Sequence, residues 1–196
     1  MLDRTIPFYN IILRCDSYKR REIILPKGFS IVPYKNGYET EWAKLECSIG
    51  DFNSLEEAKK YFIKTYLYDK KLLNNILFLL DKYNHVIGSC IAWKDERKKA
   101  YVSSLHWLIV DKRYRGLGLG KMLCSAVMNI FEEFPIYIHT QPWSWKAIFL
   151  YISLGFKLQR TDTFAQYENE YTDAMKELKK IVTEKQFTLL QESSED

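Results

Sequence analysis

The segment Leu105–Phe131, LHWLIVDKRYRGLGLGKMLCSAVMNIF, decides how the rest of the chain is read. Leu105–Val110 is strand-like. Beyond the glycines, Leu119, Met122, Leu123, Ala126, Val127, Ile130 and Phe131 form the i, i+3, i+4, i+7 stripe of an amphipathic helix laid on a sheet. Between them, Arg115-Gly116-Leu117-Gly118-Leu119-Gly120-Lys121 sets three of the chain's eight glycines at alternate positions. A strand, a basic turn and glycines opening a helix make an anion site, because unobstructed backbone N–H groups wrap a diphosphate and the helix dipole adds attraction. Glycines that merely let strand and helix pack closely are the other reading. Two nucleotide motifs fail on register. The Walker loop needs Gly where Arg115 stands and a hydroxyl where Met122 stands, and the dinucleotide fingerprint has Lys121 in place of its third glycine.

Outward from this segment, FSIVPY (29–34) alternates as a strand. Helices are expected over about 38–48 and 54–68, the second capped by Asn53 or Ser54 with Glu56 and Glu57 in its first turn. NILFLLD and HVIGSCIAW read as a hairpin turning at Lys82-Tyr83-Asn84, and the charged loop KDERKK leads into the long strand YVSSLHWLIV. Pro135 is expected to stop the helix after the glycines, and IYIHT is the next strand. A helix over about 144–154 ends at Gly155, followed by FKLQRT, a strand around TFAQYE, and one helix near 172–187. Residues 1–27 read as an irregular arm and QESSED as a disordered tail. The expected organisation is therefore an N-terminal arm (1–27), a single α/β domain (28–170) and a C-terminal helix with its tail (171–196).

Composition narrows the function. With 47% hydrophobic and 28% charged residues among 196, the chain is an ordinary globular protein with enough length for a sizeable core. Its net charge of +4 comes from scattered lysines and arginines interleaved with acids, which gives nucleic-acid binding little support. No apolar run reaches membrane-span length and no signal region opens the chain. Cys15, Cys47, Cys90 and Cys124 lie far apart and His85, His106 and His139 form no helical pair, so no metal site is expected and a reducing cytoplasm is the natural compartment.

Arg115-x-x-Gly118-x-Gly120 after Val110 resembles the acetyl-CoA pyrophosphate motif of the GNAT superfamily of acetyltransferases, and KAIFLYISLGF resembles that superfamily's later signature. The resemblance covers roughly residues 29–168. It implies a three-layer fold with a mixed, mostly antiparallel twisted sheet of six to seven strands, flanked by helices and splayed between the fourth and fifth. It also implies acetyl-CoA as cosubstrate, no metal, and an amine of a small molecule, amino acid or peptide as acceptor, in a monomer or homodimer. Leu108, Ile109 and Val110 would offer backbone to pantetheine. Residues Arg115, Gly116, Leu117, Gly118, Leu119, Gly120 and Lys121 would hold the phosphates, with Ser144 and Ala147 nearby. Ser144 departs from the family's usual Asn, and a helix N-cap is its other reading. Tyr151 matches the tyrosine that protonates the departing thiolate in many members; a core aromatic is the alternative.

HWLIV further resembles the arylalkylamine N-acetyltransferases, in which a histidine at the spacing of His106 serves proton removal. By strand alternation His106 shares a face with Leu108 and Val110. His139, Gln141 and Trp143, with Trp107, are expected to border the acceptor, and Trp42 and Glu46 to approach it. The rival readings are an acyl-CoA-binding module without turnover and, less well supported, a nucleotide-binding protein.

Overall fold

The computed structural model describes residue 3, residues 5–97 and residues 99–196; Met1, Leu2, Arg4 and Lys98, which fall in the expected arm and charged loop, lie outside the described residues. Eight strands among these join in one open sheet, in the order β2-β3-β4-β5-β6-β1-β7-β8. The strands are β1 (Ile11–Cys15), β2 (Ser30–Pro33), β3 (Ile76–Leu80), β4 (Val86–Arg97), β5 (Ala100–Val110), β6 (Ile136–Thr140), β7 (Lys157–Gln159) and β8 (Ser194–Glu195). The helices are α1 (Tyr38–Ile49), α2 (Leu55–Tyr66), α3 (Leu119–Met128), α4 (Trp145–Ile152), α5 (Tyr171–Ile181) and α6 (Glu184–Glu192). The mixed α/β architecture expected from the sequence is present. The chain divides into two compact units, one of Arg20–Trp93 with Leu105–Glu132, the other of residues up to Lys19, Lys94–Ser104 and Glu133–Asp196. Both β4 and β5 begin in one unit and finish in the other.

In the first unit, β2, β3 and the start of β4 pair antiparallel, Val32 opposite Phe78 and Phe78 opposite Ser89. All five residues of β3 are buried, so this central strand shows no alternation. Trp42, Ala43, Ala58, Phe62, Tyr66, Phe78 and Ile91 make a core in which α1 and α2 cover the sheet. Ser54 caps α2 by accepting from Glu57 N–H, as its sequence indicated. The hairpin turns where expected, with Asn84 at φ 63. Helix α3 stops at Met128, well before Pro135, its last amide bonds closing through Asn129 onto Ser125 and Val127.

The second unit corrects several expectations. The supposed irregular arm contains β1, which pairs antiparallel with β6 (Leu13 opposite Ile138) and with β7 (Leu13 opposite Leu158). Ile11, Ile12 and Leu13 are almost completely buried, and a strand covered on both faces lacks the period-2 signal. β6 pairs in parallel with β5 at Ser103–Ile136 and Ser104–Tyr137. The charged stretch expected as a loop is strand through Arg97, because its polar groups find partners: Asp95 accepts from Ser104 at 2.6 Å, and Arg97 donates to the Thr163 carbonyl at 2.8 Å and pairs with Asp162. TFAQYE is a tight turn with a lone bridge between Phe164 and Tyr167 and Ala165 at φ 50, not a strand. The single helix expected near 172–187 is two, because extended Val182 ends α5 and Thr183 starts α6 with a capping box to Gln186. The tail is ordered as β8, parallel to β7, with Glu195 accepting from Lys157 at 2.6 Å and from Gln159 at 3.1 Å.

Candidate active site

The end of β5 carries the feature on which the site turns. Trp107 has φ 51, a left-handed backbone in mid-strand that bulky residues rarely adopt. In a regular strand His106 and Trp107 point to opposite faces. Here both side chains reach one atom, the hydroxyl of Tyr66 on α2: Trp107 Nε1 donates to it at 2.7 Å, and His106 Nδ1 lies 2.8 Å from it. Alternation is therefore interrupted at Trp107, and it cannot carry the sequence inference that His106 shares a face with Leu108 and Val110. The Trp107 ring packs edge-on against Trp42 at 5.3 Å and beside Phe52 and Tyr61, each at 5.7 Å. Across from it, Gly88 of β4 lies so close to β5 that a Cβ there would stand 2.7 Å from the Ile109 carbonyl oxygen.

Past Val110 the chain enters the glycine turn. Asp111 accepts from Arg113 N–H at 2.9 Å and pairs with its guanidinium, closing a short 3-10 turn. Arg115 donates to the Val110 carbonyl at 3.2 Å. Gly116 at φ 83 and Gly118 at φ 76 use backbone that a side chain would strain, and Gly118 is the N-cap of α3. Lys121 and Met122 N–H both turn back to the Gly118 carbonyl, whereas the first amides of a helix have no acceptor within it. Arg115, Gly116, Leu117, Gly118 and Lys121 are exposed, Gly120 is half-buried, and the side chains of Ile109 and Leu119 are in the core.

Asp81, which sequence reasoning missed, braces this turn. It accepts from Tyr83 and His85 N–H, and from the Tyr114 hydroxyl at 2.9 Å, one residue before Arg115. Burial pushes the Asp81 carboxyl up, but these hydrogen bonds outweigh it and hold it at about 2. An Asp opening a four-residue turn was the available signal. Glu46 on α1 is 1% exposed and hydrogen-bonded to Asp51; burial first, then the Asp51 charge, raises its carboxyl well above the usual range. Its Oε1 and the Trp42 Nε1 are buried without a partner.

In the second unit, His139 is held on both sides, its Nε2 2.7 Å from Asn10 Oδ1 and its ring stacked 3.5 Å from Tyr167. Trp143 packs edge-on against Phe8 at 5.2 Å, and its buried Nε1 has no partner. Gln141 Nε2 donates to Ser144 Oγ at 3.4 Å. Ser144 is the N-cap residue of α4, the position its other reading gave it, and its side chain makes no capping bond there. Ala147 is half-buried on α4, and Tyr151 is 5% exposed with its ring edge-on to Phe156.

Among the described residues, no cluster of three or more His, Cys, Asp or Glu side chains is arranged to hold a metal, and no helix is long and apolar enough to cross a membrane. No curated protein matches the chain. Solved structures share its fold: a GCN5-related N-acetyltransferase from Sphaerobacter thermophilus (16% identity, TM-score 0.56, 78% of this chain and 49% of that one) and glucosamine-6-phosphate N-acetyltransferase from Arabidopsis thaliana (14%, 0.51, 74% and 99%). The NatC complex bound to Gag peptide and CoA is a third (17%, 0.52, 64% and 82%). The chain spans about half the length of the Sphaerobacter protein. The profile of the Acetyltransferase (GNAT) family matches residues 39–156, more than half of the sequence, and includes β5, the glycine turn, α3 and α4. The chain belongs to the GNAT family of acetyltransferases, whose chemistry is acyl transfer.

Proposed function

We propose that the chain is an acetyl-CoA-dependent N-acetyltransferase acting on a primary amine of a small molecule, amino acid or peptide. The observation that carries this reading is the turn from β5 into α3. Two glycines at positive φ open the helix beside exposed Arg115 and Lys121, and amides at a helix start face outward as donors for an anion. This suits a pyrophosphate held by backbone across residues 115–121, with the main chain of Leu108, Ile109 and Val110 pairing to pantetheine and Ser144 and Ala147 completing the cofactor contacts.

An alkylamine has a pKa near 10.4, so at pH 7 only about one in 10³ is neutral, a deficit of roughly 4–5 kcal/mol. His106 removes that proton, directly or through water. The neutral nitrogen attacks the thioester carbon. A backbone N–H near Leu108 holds the oxyanion of the tetrahedral intermediate until the carbonyl re-forms and the C–S bond breaks. The departing thiolate takes its proton from Tyr151, a slightly uphill transfer from a phenol of pKa about 10 to a thiol of about 8.5. The second proton that the nitrogen sheds on becoming an amide returns through solvent to the phenolate, so Tyr151 aids the reaction without being required. No cysteine is used: Cys15, Cys90 and Cys124 are buried thiols, in keeping with a reducing cytoplasm. Trp107, His139, Gln141 and Trp143 form the acceptor side, and the unpartnered Trp143 Nε1 is a donor suited to a substrate oxygen.

Release of free thiol from acetyl-CoA, measured against amines, amino acids, aminoglycosides and peptides, tests the reading. Saturable turnover on one class is expected. Saturable CoA binding with no turnover on any class would favour a binding module instead. His106→Gln is expected to lower kcat most below about pH 8 while leaving the Kd for CoA unchanged; an unaltered pH–rate profile removes His106 from the role.

A further inference from the structure

The convergence of two neighbouring side chains on one buried hydroxyl bears on how His106 is prepared for its role. Tyr66 is fully buried, its ring fixed by Trp93 at 4.7 Å and Phe62 at 5.4 Å. Its oxygen offers one hydrogen and two acceptor positions, and the Trp107 indole, a donor only, takes one acceptor position. Two arrangements remain at His106 Nδ1. Tyr66 can donate its hydrogen there, which puts the imidazole proton on Nε2, or accept from Nδ1–H, which leaves Nε2 with a lone pair. An imidazole that takes up a proton donates from both nitrogens. Only the second arrangement survives that change without turning a buried hydroxyl, and only it leaves Nε2 able to receive the proton.

We propose that Tyr66 is a positioning residue that fixes the tautomer of His106, accepting from His106 Nδ1–H and Trp107 Nε1–H together so that Nε2 is the basic atom. The inference rests on the reading of His106 as the base. The titratable groups in ring or hydrogen-bond contact there include Tyr61 and Tyr66 of α2 and His106 of β5, and Trp93 of β4 and Trp107 of β5 bring uncharged rings. As an acceptor, Tyr66 stabilises the imidazolium, so its removal makes His106 a weaker base. If Tyr66 were the donor, it would stabilise the neutral ring and its removal would make His106 a stronger base. The sign of the shift separates the two.

The test is the pH dependence of kcat for Tyr66→Phe on the full chain, with its best acceptor. The acid limb is expected to move to lower pH by roughly 0.5–1 unit, the worth of one net hydrogen bond. kcat should fall about tenfold as the ring loses its orientation, while the Kd for CoA stays put. A limb that moves to higher pH, or does not move, overturns the proposal. A loss of stability alone would leave the limb in place and so counts against it. Should His106→Gln leave the profile unaltered, the base reading falls and this inference with it. Should His106→Gln abolish the limb while Tyr66→Phe does not shift it, only the inference falls. A measurement on the unmodified protein covers the case in which Tyr66→Phe does not fold. Imidazole ¹⁵N spectra of the neutral ring of His106, assigned among three histidines by the signal that His106→Gln removes, should show Nδ1 protonated and Nε2 unprotonated; the reverse overturns the proposal.

Discussion

Gly88→Ala puts the close approach of β4 and β5 to a quantitative test. A Cβ at position 88 would lie 2.7 Å from the Ile109 carbonyl oxygen, with Val110 Cγ2 at 3.4 Å and the Leu79 Cβ at 3.5 Å. The carbonyl belongs to the backbone and cannot rotate away as a side-chain tip would. The Asp111 N–H to Ile87 carbonyl bond at 2.8 Å ties the same two segments one step further along. Reaching ordinary contact at 3.4 Å requires the strands to part by roughly 0.7 Å, into neighbours already at contact distance. Overpacking of this kind costs about 1–3 kcal/mol. At this chain length each kcal/mol lowers the melting temperature by roughly 2–4 °C, so a fall of roughly 2–12 °C is expected in a thermal melt. Because Ile109 lies in the strand proposed to pair with pantetheine, a CoA titration on the folded variant should show a raised Kd. A melting temperature within about 1 °C of the parent would refute the reasoning, since it would mean that the approach at Gly88 constrains neither strand.

Three further outcomes follow from the same geometry. Asp81 has its carboxyl held at about 2 when folded and near 3.9 when unfolded, so its stabilisation is present at neutral pH and is lost as pH falls between those values. Asp81→Ala should accordingly be less stable than the parent at pH 7, the gap in urea midpoint closing toward pH 2, and it should bind CoA more weakly because Tyr114 loses its anchor. Glu46 shows the opposite sign. Its raised folded pKa means stability is lost as pH rises above the unfolded value of about 4.3, so Glu46→Gln should melt higher than the parent at pH 8 and equally at pH 4. Thr183→Ala removes the acceptor for Gln186 N–H in the α6 capping box, costing about 1 kcal/mol, and should speed amide hydrogen exchange in the first turn of α6.

What could be read from the sequence was what local rules write. The glycine turn, the apolar stripe of α3 and the Ser54 cap each depend on residues within a few positions of one another, and the structure has them where those residues indicate. β1 was illegible because burial on both faces erases alternation, leaving IILRC with no more signal than any apolar run. β8 and the strand character of the charged residues through Arg97 were illegible for another reason. They depend on partners far along the chain, Lys157 for Glu195 and Asp162 for Arg97, which propensity cannot supply.

The candidate site divides along the same line. The turn proposed to hold phosphate is a local motif, and its Gly116 and Gly118 take the positive-φ backbone at the start of α3. The environment of the proposed base is not local, because Tyr66 stands forty residues before His106 and meets it only through the packing of α2 on the sheet. Nothing in HWLIV announces that Trp107 will take a left-handed backbone. That conformation costs about 1–3 kcal/mol in isolation, and it persists because the indole is both packed among Trp42, Phe52 and Tyr61 and hydrogen-bonded to Tyr66. The same irregularity brings His106 to the hydroxyl that Trp107 holds. An alternation rule applied across it cannot say whether Leu108 and Val110 share a face with His106. The base and its surroundings are therefore separate inferences, one resting on spacing from the motif and the other on a break in the strand.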